Sequence, residues 1–153
     1  MSFRYPFMSK LKHLYSACAV CLITSCASYT VEPYKDIQQL PDMYLRGVFT
    51  WWEADPQYQL TLKGGSTYAT TIELIADGQP YDFKFADKNW TPGSSCGYKS
   101  QYRDQSITLG KTVYADCNTT DENFRFVPKE TGLYEFTINF SNIDKPAVTV
   151  NRL

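Results

Sequence analysis

The sequence predicts an all-β domain, an antiparallel β-sandwich of about seven to nine short strands. From Met43 onward, polar and apolar side chains alternate with a period of two, which is typical of strands with one buried face. Turn-forming residues separate the alternating runs at short intervals, and no run has the period of an amphipathic helix. Many short strands between regular turns indicate a sandwich.

Five runs carry the alternation, and each places a set of aromatic or β-branched side chains on the face expected to be buried. These sets are Tyr68, Thr70, Ile72 and Leu74; Tyr81, Phe83 and Phe85; Phe124 and Phe126; Tyr134, Phe136, Ile138 and Phe140; and Val148 and Val150. The longest stretch without alternation is 87–105. A long loop in a compact domain is often functional.

The first residues do not belong to this domain. Arg4, Lys10 and Lys12 precede a short apolar run at 14–23, which is the pattern of a secretory signal over residues 1–25. The run is shorter than the about 20 residues that a membrane span requires. A start at Met8 instead of Met1 makes the signal more compact, and both starts remain open.

The signal ends in Ile23-Thr-Ser-Cys26, which resembles the lipobox of bacterial lipoproteins. The resemblance implies cleavage before Cys26 and acylation of that cysteine, including palmitate, so that a lipid anchor holds the protein at a membrane. Ala27 resembles the signal for transport to the outer membrane of the bacterial cell envelope. Residues 26–41 then form the lipidated cysteine and a tether, and 42–153 form the domain. The alternative is an ordinary secretory signal with a chance cysteine.

The composition argues against several classes of function. The chain has a net charge of −1 and no basic stripe, which disfavours nucleic acid as a partner. Its one histidine, His13, lies in the signal, so a histidine base is absent from the domain. No phosphate-binding loop or catalytic motif is recognisable. We therefore expect no enzyme activity, no cofactor and no metal.

Two cysteines remain once the signal and the lipidation site are set aside. Cys96 and Cys117 form an even pair in an exported, oxidising context, which favours a disulfide. Two free thiols are the alternative. A metal site is disfavoured because two cysteines without a histidine make a poor zinc site.

Three segments follow one another in the order seen in starch-binding modules: YLRGVFTWW, YQLTLKGGSTYATTIEL and YDFKFADKNW. They resemble the early-set, immunoglobulin-like carbohydrate-binding domains of amylases, pullulanases and glycogen-branching enzymes. The segment from Asn123 to Val150 is similar to the closing strands of domains that accompany bacterial pullulanases. The resemblance covers about 43–150 and implies an immunoglobulin-like sandwich that binds an α-glucan.

The resemblance also implies a site. In that family two aromatic rings and a lysine of the FKF strand bind the glucan, and the matching residues here are Lys84, Trp90 and either Trp51 or Trp52. An exposed indole can cover the flat C–H face of a pyranose, and nearby polar groups can bond its hydroxyls. The chain departs from the family after Trp90, where TPGSSCGYKSQY replaces acidic and asparagine residues.

Each of these residues also has a structural interpretation. Trp90 can be a core or loop-anchoring ring, and Lys84 a solvated strand residue on the face opposite Phe83. Because adjacent strand residues face opposite ways, one of Trp51 and Trp52 is expected in the core. Arg46 can be a structural arginine paired with a carboxylate. Exposure of the indoles discriminates between the two interpretations.

The leading hypothesis is a membrane-anchored lipoprotein with a non-catalytic, α-glucan-like carbohydrate-binding sandwich. The alternative is an envelope protein-interaction or assembly lipoprotein that binds no sugar, because a fold does not imply a function. A third option is a subunit or inhibitor that works beside a separate amylase.

Overall fold

The structure, a computed structural model, describes Leu40 and residues 42–153. The predicted signal, the lipidation residue Cys26 and all of the tether except Leu40 lie outside the described residues. Over the part that is described, no helix is long and apolar enough to cross a membrane.

The described chain is built from ten strands, one single-turn helix and two short 3-10 turns, so the all-β prediction is confirmed. The strands are β1 (Met43–Gly47), β2 (Thr61–Gly64), β3 (Thr67–Leu74), β4 (Tyr81–Asp87), β5 (Ser95–Tyr98), β6 (Ser106–Ile107), β7 (Val113–Asp116), β8 (Phe124–Phe126), β9 (Gly132–Asn139) and β10 (Ala147–Arg152). Helix α1 spans Gln101–Asp104, and the 3-10 turns span Val48–Thr50 and Pro56–Tyr58.

The strands form one continuous hydrogen-bonded path in the order β2-β3-β9-β10-β7-β5-β4-β8-β6, and β1 pairs with the other side of β4. The longest pairing joins β3 and β9, from Thr67 opposite Asn139 to Leu74 opposite Gly132. The named pairings are antiparallel except that of β6 with β8, which is parallel. This parallel pair departs from the purely antiparallel prediction.

The path folds back on itself to enclose the core. Phe83 of β4 meets Phe136 of β9 edge to face, with ring centroids 4.8 Å apart, although three strands separate β4 from β9 along the path. Phe126 of β8 meets Tyr134 of β9 in the same way at 5.3 Å. Contacts between strands so far apart on the path require two facing layers, which is the arrangement of a sandwich.

Strand β4 is buried on both faces. Phe83 and Phe85 face the core as predicted, whereas Lys84 and Ala86 lie on the opposite face and are buried as well. Segment 117–122, which we call the cover segment, contacts Lys84 on this face. Its Thr120 carbonyl accepts a hydrogen bond from Lys84 Nζ at 2.9 Å.

The predicted disulfide is confirmed, and it fastens the cover segment to β5. Cys96 and Cys117 are joined with an S–S distance of 2.03 Å. The Gly97 amide donates to Thr119 Oγ1 at 2.9 Å, and that hydroxyl donates to the Ser95 carbonyl at 3.0 Å. A Cβ on Gly97 would lie 1.6 Å from the Glu122 carbonyl oxygen, so only glycine permits this close approach.

Candidate functional site

The three tryptophans of the chain share an unusual backbone conformation. Trp51, Trp52 and Trp90 have φ angles of 53°, 65° and 57°, and no other non-glycine residue of the described chain has a positive φ. The Trp51 side chain is 88% exposed and that of Trp90 41% exposed, whereas Trp52 is half-buried. The interpretation of Trp90 as a core ring is therefore wrong.

Neither of the adjacent tryptophans joins the core, contrary to expectation. The chain leaves β1 at Gly47 and turns at once, since the Thr50 hydroxyl contacts both the amide and the carbonyl of Gly47, at 3.3 and 3.2 Å. The Trp52 amide then donates to the same Gly47 carbonyl at 3.0 Å. Because Trp51 and Trp52 lie in this left-handed turn and not in a strand, the alternation rule does not apply to them.

A second turn presents Trp90 at the end of β4. The buried Asp87 carboxylate accepts hydrogen bonds from the Thr91 amide at 2.8 Å and from the Thr91 hydroxyl at 2.5 Å. The Ser94 amide donates to the Thr91 carbonyl at 2.9 Å, which closes the far side of the turn. A carboxylate that bonds backbone a few residues on is a common turn stabiliser. The turn therefore holds Trp90 outside the sheet.

Arg46 joins the two turns. Its side chain is 3% exposed and its Cζ lies 3.6 Å from the centroid of the Trp90 ring. Nε donates to the Trp52 carbonyl at 2.6 Å, and Nη1 donates to the Asp87 carbonyl at 2.6 Å and the Lys88 carbonyl at 3.3 Å. One guanidinium thus fixes the backbone of both turns and supports one indole.

Arg46 is structural, as the alternative interpretation held, but its partners differ from the expected carboxylate. Among the residues that the structure describes, no salt bridge includes Arg46. Burial lowers the pKa of the guanidinium, while the charges of Glu53 and Asp87 act in the raising direction. An arginine remains protonated in proteins, so a cation lies beneath the indole, a favourable cation–π arrangement.

Lys84 is not accessible, although it lies on the predicted face. It is the strand partner of Arg46, and its side chain is 1% exposed beneath the cover segment. Burial lowers the pKa of its ammonium, and Glu122 and Asp121 act in the raising direction. The interpretation of Lys84 as a solvated residue is therefore wrong. In this arrangement it cannot contact a sugar, so its predicted binding role has no support.

The site is thus two exposed indoles on rigid turns, with polar side chains next to them in sequence. Glu53 follows Trp52, and Lys88 and Asn89 precede Trp90; all three are exposed. Sequence reasoning missed that Arg46 joins the turns. The signal was its position in β1, but the pairing of Arg46 with Lys84 depends on a strand register that alternation alone does not give. Within the described residues, no group of three or more His, Cys, Asp or Glu side chains is placed to hold a metal ion.

Comparisons with known proteins place the fold. No protein-family model matches the chain, and no curated protein matches it. Among solved structures, the chain is similar to the ligand-induced structure of AmyP-SBD, a starch-binding domain, with a TM-score of 0.54 and 18% sequence identity. The alignment covers 96% of each chain. At this identity the likeness shows a shared fold over nearly the whole length.

Proposed function

We propose that this domain binds carbohydrate without catalysis, that the ligand is an α-glucan, and that Trp51 and Trp90 are the rings that contact it. The observation that carries the proposal is the pair of indoles held outside the core by left-handed turns. Tryptophan is enriched at interaction surfaces and among the residues that contribute most to binding.

The support beneath Trp90 suits a flat ligand. One face of its indole lies against the Arg46 guanidinium, so the exposed part of the ring is the other face and its edge. A pyranose presents a comparable flat C–H face. Because the indole is already fixed, little side-chain entropy is lost when a sugar stacks on it.

The hydroxyl rim of a sugar requires donors and acceptors close to the ring. Lys88, Asn89 and Glu53 supply an ammonium, an amide and a carboxylate on the two turns that carry the indoles. The shared fold with AmyP-SBD supports a starch-like glucan as the ligand class. Lys84 is left out of the site because the cover segment buries it.

Calorimetry and affinity electrophoresis with glycogen, maltoheptaose and pullulan test the proposal. We expect Trp90→Ala and Trp51→Ala each to weaken glycogen binding about tenfold, because a stacked aromatic side chain contributes on the order of 1–3 kcal/mol. Tyr102→Ala is the matched control, since Tyr102 is a fully exposed aromatic residue on α1, which is part of neither turn. Unchanged binding in the Trp90 variant, or no binding by the wild type, would refute the proposal.

We also propose that the protein is an outer-membrane lipoprotein anchored through Cys26. The support is the sequence pattern of residues 4–27 alone. We expect palmitate label to be incorporated by the full-length protein and lost in Cys26→Ser, while Cys21→Ser, a control within the signal, keeps the label. Label that persists in the Cys26 variant would contradict the proposal. Fractionation of the envelope then tests the outer-membrane location.

A further inference from the structure

A second depression, on the far side of β5 from β4, has a different chemical character from the tryptophan site. It has a volume of about 350 Å³ and is lined by Lys99, Arg103, Asp104, Thr112, Tyr114 and Lys145. The lining comes from the residue after β5, from α1, from β7 and the residue before it, and from the turn before β10. We call it the basic depression.

Two of its three cations are held in place. Lys99 Nζ donates to the Asp144 carbonyl at 2.7 Å, and Lys145 Nζ lies 3.5 Å from the centroid of the Tyr114 ring. An ammonium has three N–H donors, so Lys99 keeps two for another acceptor. The contact with Tyr114 restricts Lys145 without using its charge in an ion pair. Both ammoniums are therefore oriented before any ligand arrives.

The cations of this depression outnumber the carboxylates in its lining. Over the described part of the chain, the salt bridges join other residues, and none includes Lys99, Arg103 or Lys145. The one carboxylate in the lining, that of Asp104, is buried, and its Oδ1 accepts a hydrogen bond from the Tyr114 amide at 3.0 Å. Three cations against one carboxylate leave an excess of positive charge on a chain whose net charge is −1.

We propose that the basic depression binds a phosphate monoester. At neutral pH such a group carries close to two negative charges, which matches the cationic excess better than a singly charged carboxylate does. The Arg103 guanidinium can donate two parallel hydrogen bonds to it, and the ammoniums of Lys99 and Lys145 supply further charge. The volume of about 350 Å³ leaves room for more than an inorganic ion, and the hydroxyls of Thr112 and Tyr114 can contact the group that carries the phosphate.

An NMR titration of the protein with glucose 6-phosphate tests the site, with inorganic phosphate and uncharged glucose as parallel probes. We expect saturable shifts of the amides of Lys99, Arg103, Tyr114 and Lys145 with both phosphates and none with glucose. Arg103→Gln weakens binding about tenfold or more, because hydrogen bonds to charged groups are the stronger ones. Lys111→Gln, the same change of charge in the turn before β7, leaves the affinity within about twofold.

A lipid is a second source of the same chemical group, and vesicles distinguish it. Binding to vesicles that contain phosphatidic acid, but not to phosphatidylcholine alone, with loss in Arg103→Gln, assigns the ester to a lipid head group. No saturable shift with the phosphates and no vesicle binding, or equal weakening in Arg103→Gln and Lys111→Gln, overturns the proposal. Trp90→Ala is expected to bind glucose 6-phosphate normally, so this site and the glucan site fail separately.

Discussion

Strands β4 and β9 carry the same alternating pattern and face each other across the core, yet their outer faces differ. The outward residues of β9, Glu135, Thr137 and Asn139, remain partly exposed. The outward residues Lys84 and Ala86 of β4 are buried. Strand β9 follows the rule that an antiparallel strand has one face in the core and one face exposed to solvent, and β4 does not.

The difference comes from chain that folds over β4 and not over β9. The cover segment is fastened by the disulfide and lies on β5, while the turns after β1 and β4 meet above Arg46. The candidate site is built from the two turns, next to the cover segment. A strand that looks amphipathic in sequence but is buried on both sides thus marks the part of this domain where loops, and the groups they present, are concentrated.

Removal of the Arg46 guanidinium, next to β4, is expected to have the largest effect on stability. Arg46→Ala leaves the carbonyls of Trp52 and Asp87 without their donor and removes the support of Trp90, so we expect a loss of about 3 kcal/mol or more in the free energy of unfolding. Glycogen binding falls with it. Denaturant unfolding measures the first quantity and calorimetry the second.

The matched control for Arg46 is Arg125→Ala. Arg125 forms a salt bridge with Asp82, from Nε to Oδ1 at 2.7 Å, and both side chains are partly exposed. Its loss is expected to cost less than about 1 kcal/mol. Equal losses in the two variants would show that burial of Arg46 adds nothing.

Loss of the disulfide is expected to have the next largest effect. Replacing Cys96 and Cys117 together by serine removes a crosslink across 21 positions and lowers stability by about 3 kcal/mol in the chain-entropy account. Hydrogen exchange of the Gly97 amide, which the cover segment protects, is expected to accelerate more than that of amides in β9. Uniform acceleration in both strands would mean that the crosslink acts on the whole domain and not on the cover.

Adding one methyl group is expected to destabilise the domain more beneath the cover segment than on β9. Gly97→Ala places a Cβ against the Glu122 carbonyl, so the cover segment must move, at a cost of about 1–3 kcal/mol. In Gly132→Ala at the start of β9, the nearest atom is Arg152 Nε at 3.3 Å, on a side chain that can give way. We expect that variant to lose less than about 0.5 kcal/mol. Thermal unfolding of the pair tests the contrast.

The buried Lys84 is expected to make the free energy of unfolding depend on pH. Burial lowers the pKa of Lys84 in the folded state. At pH values just below the ordinary value of 10.5, the unfolded chain therefore binds more protons than the folded chain does. The free energy of unfolding of the wild type should therefore rise with pH in the range just below 10.5, relative to Lys84→Met. A difference between the two proteins that is flat with pH over that range would contradict this sign.

The smallest effect on stability is expected on the partly exposed outer face of β9. Glu135→Ala removes the salt bridge in which Lys63 Nζ lies 2.8 Å from Glu135 Oε2. Since Lys63 is exposed, the expected loss is about 0.5 kcal/mol or less, and it should shrink further in high salt. A loss comparable to that of Gly97→Ala would mean that the outer face of β9 is more tightly constrained than its exposure indicates.

Much of the sandwich followed from the sequence because a period of two fixes which residues share a face. Phe83, Phe85 and Phe136 are buried as the alternation predicted, and the pair Cys96 and Cys117 followed from counting. The covering of Lys84 did not follow, since alternation gives a direction and not what lies above the strand. The parallel pairing of Ser106 with Arg125 also has no local signal.

The tryptophan site was predicted in part. The residues Trp51 and Trp90 came from the family resemblance and are exposed, whereas the expected burial of Trp51 or Trp52 assumed that β1 continued through them. The chain instead turns directly after Gly47, where hydrogen bonds from Thr50 and Trp52 close the turn. Position 47 must be glycine because a Cβ there would lie 2.5 Å from the Asp82 carbonyl oxygen, a contact that is distant in sequence. Their role in binding sugar stays a prediction that the tryptophan variants test.

The left-handed conformation of the three tryptophans lowers the stability of the folded chain in order to present their rings. Such a conformation costs a residue with a β-carbon about 1 kcal/mol or more, and glycine occupies it freely at Gly65, Gly78 and Gly110. Selection for stability alone would favour glycine or asparagine at positions 51, 52 and 90. The domain nevertheless has three large rings at backbone positions that disfavour a β-carbon. Trp90→Gly should therefore relieve the backbone strain at position 90 while losing the contact of the ring with Arg46 and with any ligand.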